Sequence, residues 1–450
     1  MPIDQLKRYL PTSLILEGLV LLGVAPWLLF PSQLPILTFF ALGVTALLWL
    51  WPLLRRKKPF PHTPFNIAIL FFEATILVGI IVTADPVATL PKATGVILGL
   101  TAWRFVVRTV RDKSTLYTMT AAFFAVGLGF IFWGTLGADW RVKAPFLEPI
   151  LSILPSRLVL PPEAPAVGVH TNQLAGLLMF YLPIALSLAI GWRSDRLQKS
   201  ALVILSFIAA AIGSLLILTQ SRSGWIGGLF GIAAALLLWV LVLRPSRKRT
   251  AIVLSLGMMV LICLIILVSI GPDRMQNIWE DPTQETAVGS LGTINFRIEV
   301  WKWALNAIED FPFTGTGLGT FRHVVLRLYP IFLPPGYDIA HAHNIFLQIA
   351  LDTGLPGLVS YLSILMIAFA AGWRSARRNS AVQSLAIGLL ASLVSLHVYG
   401  LTDTLALGSK PGLIIWMSFG LLAAMERLSR PEFSELDLVD PVLDNSTERR

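Results

Sequence analysis

The feature that most limits this chain is the recurrence of apolar runs long enough to cross a bilayer. LAGLLMFYLPIALSLAIG (Leu174 to Gly191) is one of them, 18 residues without a charge. A run of that length spans about 30 Å of hydrocarbon. Inside lipid the backbone must satisfy its own hydrogen bonds, so such runs have to be helices or closed barrels. Composition agrees: 55% of the 450 residues are hydrophobic and 14% are charged, against roughly 45–50% and about 25% for soluble domains. The first run is followed by many others, which reads as a spanning helix rather than a cleaved leader.

The spacing predicts an all-α polytopic membrane protein with twelve helices: 12–30, 34–54, 65–84, 91–109, 115–137, 171–191, 200–219, 224–243, 250–270, 345–371, 381–400 and 408–425. Clusters of Lys and Arg fall at alternate joints: Lys7/Arg8, Arg55 to Lys58, Arg108/Arg111/Lys113, Arg193/Arg196/Lys199, Arg244 to Arg249, Arg374/Arg377/Arg378 and Arg427/Arg430. The positive-inside rule places that side, and both termini, in the cytoplasm. Residues 1–270 then hold helices 1–9, 271–344 form a large extracytoplasmic loop, 345–429 hold helices 10–12, and 430–450 form a polar, disordered cytoplasmic tail. Within the loop, TINFRIEVWKWALNAIED (Thr293 to Asp310) has helical spacing, with Ile294, Ile298, Trp301, Leu305 and Ile308 as its apolar stripe. It is expected to lie as an amphipathic helix at the interface.

Polar residues in such a chain need a reason. Glu17, Glu73 and Arg104 fall inside predicted spans, where an ion pair between neighbouring helices or a polar cavity would account for them. Cys263 is the single cysteine, so no internal disulfide or thiolate metal cluster is possible. TQSRSGW (Thr219 to Trp225) sits at an outer joint, where Arg222 departs from the charge alternation. A guanidinium there suits phosphate oxygens or lipid headgroups, with Ser221, Ser223 and helix-start N–H groups adding to an anion site. Arg297 and Trp301 stand four apart on one face of the loop helix, positioned to stack or to reach a ligand. TGTGLGTFRH (Thr314 to His323) is glycine-rich but lacks the Lys-Ser/Thr ending of a P-loop. It reads as a tight turn, with Arg322 a third phosphate contact. In IAHAHNIFLQIALDTGLPG (Ile339 to Gly357), His341 and His343 alternate by two, beside Asn344. A metal would need further ligands; a surface histidine can instead accept a proton near neutral pH. Asp352 is a candidate to hold one imidazole in a single tautomer, and Leu355-Pro356-Gly357 is expected to interrupt the helix.

These motifs resemble the O-antigen ligase and O-antigen polymerase superfamily of bacterial envelope proteins. TQSRSGW is similar to its Ser-Arg motif, FRIEVWKWALN to its Arg-x-x-x-Trp motif, and TGTGLGTF with HAHNIFLQIALDTGLPGL to the stretch carrying its essential histidine. The resemblance implies a GT-C-type fold in the bacterial plasma membrane and an extracytoplasmic site. It implies metal-independent, inverting transfer of a glycan from undecaprenyl pyrophosphate to an acceptor hydroxyl. It further implies that Arg222 and Arg297 hold the pyrophosphate and that His343 is the base or orients the acceptor hydroxyl, with His341, Asn344, Arg322, Trp301, Ser221 and Ser223 binding substrate. Membrane lipids are expected partners; no cofactor, metal or nucleic acid is expected. VGVHTNQLAGLL (Val167 to Leu178) departs from the superfamily pattern, with His170-Thr171-Asn172 where Asn-Pro-Asn is usual. That spelling looks most like a cyanobacterial branch once described as inorganic-carbon transporters. A bicarbonate transporter or accessory is therefore the rival expectation, and a polymerase of the same superfamily the second. A transporter should carry polar groups through both leaflets and two related halves; here they crowd on the outer side.

Overall fold

Each of the twelve apolar segments is a helix, because nothing else closes the backbone hydrogen bonds of so long an apolar run in lipid. The structure, a computed structural model, describes residues 12–31, 34–54, 61–140, 147–153, 155, 158–159, 169–191, 196–270, 292–329 and 339–429. Among these are fifteen helices and no strand. They are α1 (Thr12–Leu29), α2 (Pro35–Leu54), α3 (Asn66–Ile81), α4 (Pro86–Thr109), α5 (Lys113–Gly137), α6 (Glu148–Leu151), α7 (Thr171–Gly191), α8 (Arg196–Leu218), α9 (Arg222–Val242), α10 (Arg247–Ile270), α11 (Gly292–Asp310), α12 (Phe321–Leu328), α13 (Ile345–Arg378), α14 (Gln383–Tyr399) and α15 (Gly412–Leu428). Seven of them, α2, α4, α5, α7, α9, α10 and α13, are long and apolar enough to cross a membrane by length and composition. The chain is an all-α polytopic membrane protein. The tail from 430, the loop residues 271–291 and the basic clusters at Lys7/Arg8, Arg55 to Lys58 and Arg193 lie outside the described residues.

The most enclosed helix is α15, buried without interruption from Gly412 to Arg427. It packs on α4, and α14 packs between α7 and α9. Gly99 of α4 allows the first contact, since a Cβ there would fall 2.1 Å from the Trp416 ring. Small residues at such crossings let backbones approach in the way lipid-embedded bundles require. At the periphery α10 is only 6% buried and presents its side chains outward. The expected ion pair is present: Arg104 Nη1 lies 2.8 Å from Glu17 Oε1, and Arg108 Nη1 3.0 Å from Oε2. Arg104 Nη2 also donates to the Leu48 carbonyl at 2.9 Å. Glu73 takes no part in that pair, and its Oε1 is buried without a hydrogen bond.

Two expectations about the outer segments change. The loop helix α11 buries Val300, Ala304, Ala307 and Ile308, while Leu305 is 55% exposed. Of the expected stripe Ile308 is buried and Leu305 is not, and the inner face is the line Val300, Ala304, Ala307 and Ile308, where α11 packs on α13. Those residues form a satellite core with Phe321, Ile339, Ala342 and Ala350, separate from the main one. The break in α13 falls at Gly354 (φ 71°, ψ 177°), one residue before Leu355-Pro356-Gly357. The glycine-rich turn closes the gap. Thr316 N donates to the Leu351 carbonyl (2.7 Å) and Leu355 N to the Pro312 carbonyl (2.7 Å). Irregular backbone at membrane depth is tolerated where protein covers it in this way.

Candidate active site

At one end of the bundle four segments distant in sequence meet. The first is the α8–α9 joint. Gln220 adopts a left-handed conformation (φ 56°), which turns the chain sharply enough for only three residues to separate α8 from α9. Ser221 then caps α9 by accepting from Gly224 N at 3.3 Å, which leaves Arg222 in the first helical turn. Ser223 is buried and bonded to the Thr402 hydroxyl at 2.8 Å. Both serine hydroxyls thus hold the joint rather than reaching outward. The start of a helix carries unsatisfied N–H groups and a positive partial charge, so Arg222 stands where an anion is already favoured.

The second segment is the histidine loop. Asn344 is the N-cap of α13, its Oδ1 accepting from Phe346 N (3.0 Å) and Leu347 N (3.2 Å), while Nδ2 donates to the Leu401 carbonyl (3.3 Å). The asparagine therefore fixes the helix start, and with it the residue before. His343 is in the left-handed region (φ 50°), uncommon for a non-glycine residue and supported only where the surroundings impose it. Its N–H donates to His341 Nδ1 at 3.2 Å, so neutral His341 carries its proton on Nε2. Ala342 N donates to Gln348 Oε1 (2.9 Å), which pins the loop to the first turn of α13. The two rings sit with centroids 4.3 Å apart.

The third segment is the α14–α15 linker, docked by a bond from Ile345 N to the Gly400 carbonyl (2.7 Å). It supplies Asp403, 4% exposed. Asp403 Oδ1 lies 3.9 Å from His341 Nε2 and 4.0 Å from His343 Nδ1. Its Oδ2 accepts from Asn172 Nδ2 at 2.7 Å, and Tyr399 donates to the Asn172 carbonyl at 2.8 Å. This corrects the expectation for Asp352. That carboxylate is engaged elsewhere, its Oδ1 accepting from Gly319 N and Gln348 Nε2, both at 2.9 Å. Asp403 occupies the place the sequence argument gave it.

The fourth segment is α11. Arg297 stands in electrostatic contact with Arg222, with His343 and with Tyr399. The described contacts contain no stacking of Arg297 on Trp301; the Trp301 indole nitrogen is buried without a hydrogen bond. Arg322, on exposed α12, faces Lys92 instead. Five of the nine residues singled out in the sequence, His341, His343, Asn344, Arg222 and Arg297, therefore meet. Ser221 and Ser223 hold the framework beneath Arg222.

Burial sets the charge state. Desolvation pushes the His341 imidazole down to about 3, with the neighbouring His343 adding to the effect and Asp403 opposing it. His343 is lowered too, first by desolvation and then by Arg297 and His170, against the pull of Asp403. Both rings are neutral at pH 7, and a neutral imidazole can accept a proton. Ligand atoms of His341, His343 and Asp403 lie within 4.8 Å of one another, close enough that a divalent ion could gather them.

Comparison with known proteins completes this description. A family model described as O-Antigen ligase matches residues 205–362. That segment is similar to the O-antigen ligase family. It contains Arg222, Arg297, Arg322, His341 and His343. The O-antigen ligase of Pseudomonas aeruginosa is 30% identical over 237 residues, 52% of this chain and 50% of that protein. The chain thus spans about half the length of the curated relative it matches. Three residues that complete the site, Lys92, Asn172 and Asp403, fall outside the segment matching the ligase model. Sequence reasoning missed Asp403 and Lys92. It had singled out the His170-Thr171-Asn172 segment as a departure, without placing it against the histidines.

Proposed function

We propose that this protein transfers a glycan from a polyprenyl pyrophosphate, undecaprenyl pyrophosphate in bacteria, to an acceptor hydroxyl on the extracytoplasmic face. The observation that carries the reading is Arg297. From a loop helix it is in electrostatic contact with both Arg222 and His343, which groups two guanidinium groups with a neutral imidazole. The match of residues 205–362 to the ligase family supports the same chemistry.

Arg222 and Arg297 hold the pyrophosphate oxygens. Arginine offers a planar fork of donors for this purpose. The acceptor oxygen attacks the anomeric carbon opposite the pyrophosphate. The carbon–oxygen bond to the phosphate breaks, and the polyprenyl pyrophosphate departs with the electron pair on its oxygen, its charge neutralised by the two arginines. The anomeric configuration inverts. His343 takes the hydroxyl proton through Nε2, while Nδ1 faces Asp403, which steadies the imidazolium as it forms. Pyrophosphate is a good leaving group, so positioning and charge neutralisation are the main tasks left to the protein.

No metal is assigned a role. Asn172 holds Asp403 Oδ2, which turns Oδ1 toward both imidazoles, the placement an orienting carboxylate needs. The test uses full-length protein in proteoliposomes with a labelled glycan on undecaprenyl pyrophosphate and candidate acceptors, with and without EDTA. Transfer that survives EDTA and is lost in His343→Ala supports the reading. Transfer abolished by EDTA and restored by a divalent ion would assign the His341–His343–Asp403 trio to a metal. Bicarbonate flux abolished by the same substitution would favour the transport alternative.

A further inference from the structure

The histidine loop and the helix that carries Arg297 are separate segments, and one buried side chain ties them together. Gln348 lies in the first turn of α13 and is 4% exposed. It lines a cavity of about 40 Å³ with His341 and Lys92, so it stands beside the imidazole pair. Its Oε1 accepts from Ala342 N and its Nε2 donates to Asp352 Oδ1, both at 2.9 Å. Asp352, one turn further along the same face of α13, accepts from Gly319 N through that same oxygen at 2.9 Å. Gly319 belongs to the glycine-rich turn that follows α11, and bonds from Thr316 N and Leu355 N fasten the rest of that turn to α13. A continuous series of hydrogen bonds therefore runs from the turn behind α11, through Asp352 and Gln348, to Ala342, the residue before His343.

The two partners of Gln348 make opposite demands. Ala342 offers a backbone N–H and needs an acceptor, while Asp352 offers a carboxylate oxygen and needs a donor. A carboxamide meets both with its two ends. A glutamate at this position would set a second carboxylate against Asp352. A methionine would leave the N–H of fully buried Ala342 without its bond. The bond matters here because His343 holds φ 50°, a conformation that persists only where the surroundings impose it. Asn344 fixes the chain after His343 and Gln348 fixes it before, while His341 Nδ1 takes the His343 N–H itself.

We propose that Gln348 is a positioning residue for the transfer reaction: by holding Ala342 and Asp352 together it sets the place of the His343 imidazole relative to the helix that carries Arg297. The inference rests on the transferase reading above, and its test separates the two. Gln348 acts through His343 and not by binding either substrate. Transfer of a labelled glycan from undecaprenyl pyrophosphate is measured in proteoliposomes at equal amounts of folded full-length protein. The four proteins are the wild type, Gln348→Met, His343→Ala and the double variant. Gln348→Met keeps the length of the side chain and removes both bonds.

Gln348→Met should lower kcat by about 10- to 100-fold, the scale of a ~1 Å displacement of a reacting group, while KM for the donor stays within about threefold. In the His343→Ala background the same substitution should change the residual rate by less than about twofold, because nothing is left for Gln348 to position. If Gln348→Met does not fold, Gln348→Glu carries the same comparison, and its loss of kcat should likewise vanish without His343. Wild-type kcat in Gln348→Met overturns the proposal. So does an equal fractional loss with and without His343, which would assign Gln348 to the framework alone. Failure of the transferase reading shows differently, as His343→Ala protein that transfers at the wild-type rate, and would overturn both readings together.

Discussion

Two cationic clusters in this protein show what distinguishes a charge that holds a bundle together from one set out for a ligand. Arg104 is fully buried between α1, α2 and α4, and the protein supplies its partners: Glu17 at 2.8 Å and the Leu48 carbonyl at 2.9 Å. Arg297 lies at the mouth of the bundle. Its charged neighbours include another guanidinium, and no carboxylate among the described residues lies within ion-pair distance of it. One cluster is electrostatically closed. The other brings two guanidinium groups into electrostatic contact, the arrangement expected of a site for a negatively charged ligand.

The comparison breaks if the two clusters respond alike to substitution. The largest expected effect is on transfer by His343→Ala, a loss of about 10²- to 10⁴-fold, the usual contribution of a positioned base. Arg297→Ala should lower transfer by about 10²- to 10³-fold, as removal of an electrostatic stabiliser does. It should leave the melting temperature near that of the wild type, because no internal ion pair is lost. Glu17→Gln should do the reverse. It leaves Arg104 buried without its counter-charge, at a cost of about 3–5 kcal/mol in stability, while protein that remains folded transfers normally. Denaturant unfolding alongside the transfer assay separates the two behaviours. A smaller effect is expected from Ser221→Ala. Loss of the α9 cap costs about 1 kcal/mol and lets Arg222 drift, so transfer should fall by less than in Arg297→Ala.

The pH profile sharpens the same contrast. His343 acts as a base only when neutral. Desolvation, Arg297 and His170 lower its pKa while Asp403 opposes them, and the net shift is downward. The acid limb of kcat/KM should therefore fall below the ordinary histidine value of about 6.5. In Arg297→Lys, which keeps the charge, the limb should stay low. In Asp403→Asn, which removes the opposing carboxylate, it should move lower still. An acid limb at or above 6.5 in the wild-type protein would remove His343 from the role of base.

The membrane helices were legible because an apolar run of that length has one solution in lipid. All twelve predicted segments are helices, and most ends agree to within a few residues. The larger shifts have local causes. α4 starts at Pro86 because Asp85 caps it by accepting from Ala88 N. α13 continues to Arg378 because Arg374 reaches Glu426 on α15 at 2.9 Å. Arg222, Arg297 and His343 were legible as residues out of place in a hydrophobic chain. Asp403 was not, since a lone aspartate between two helices looks like any turn residue, and its meaning lies in Asn172, 231 positions away. Lys92 was hidden for a related reason. Near a helix start it reads as an interfacial lysine, until the glycine turn and the α14–α15 linker close over it.

The central claim is that Arg222, Arg297 and His343 act together on a lipid-linked pyrophosphate. It is tested most directly by following a labelled glycan from undecaprenyl pyrophosphate to acceptor in proteoliposomes, for the wild type, Arg297→Ala and Glu17→Gln at equal amounts of folded protein. The account predicts transfer by the wild type and Glu17→Gln and almost none by Arg297→Ala. Undiminished transfer by Arg297→Ala would contradict it.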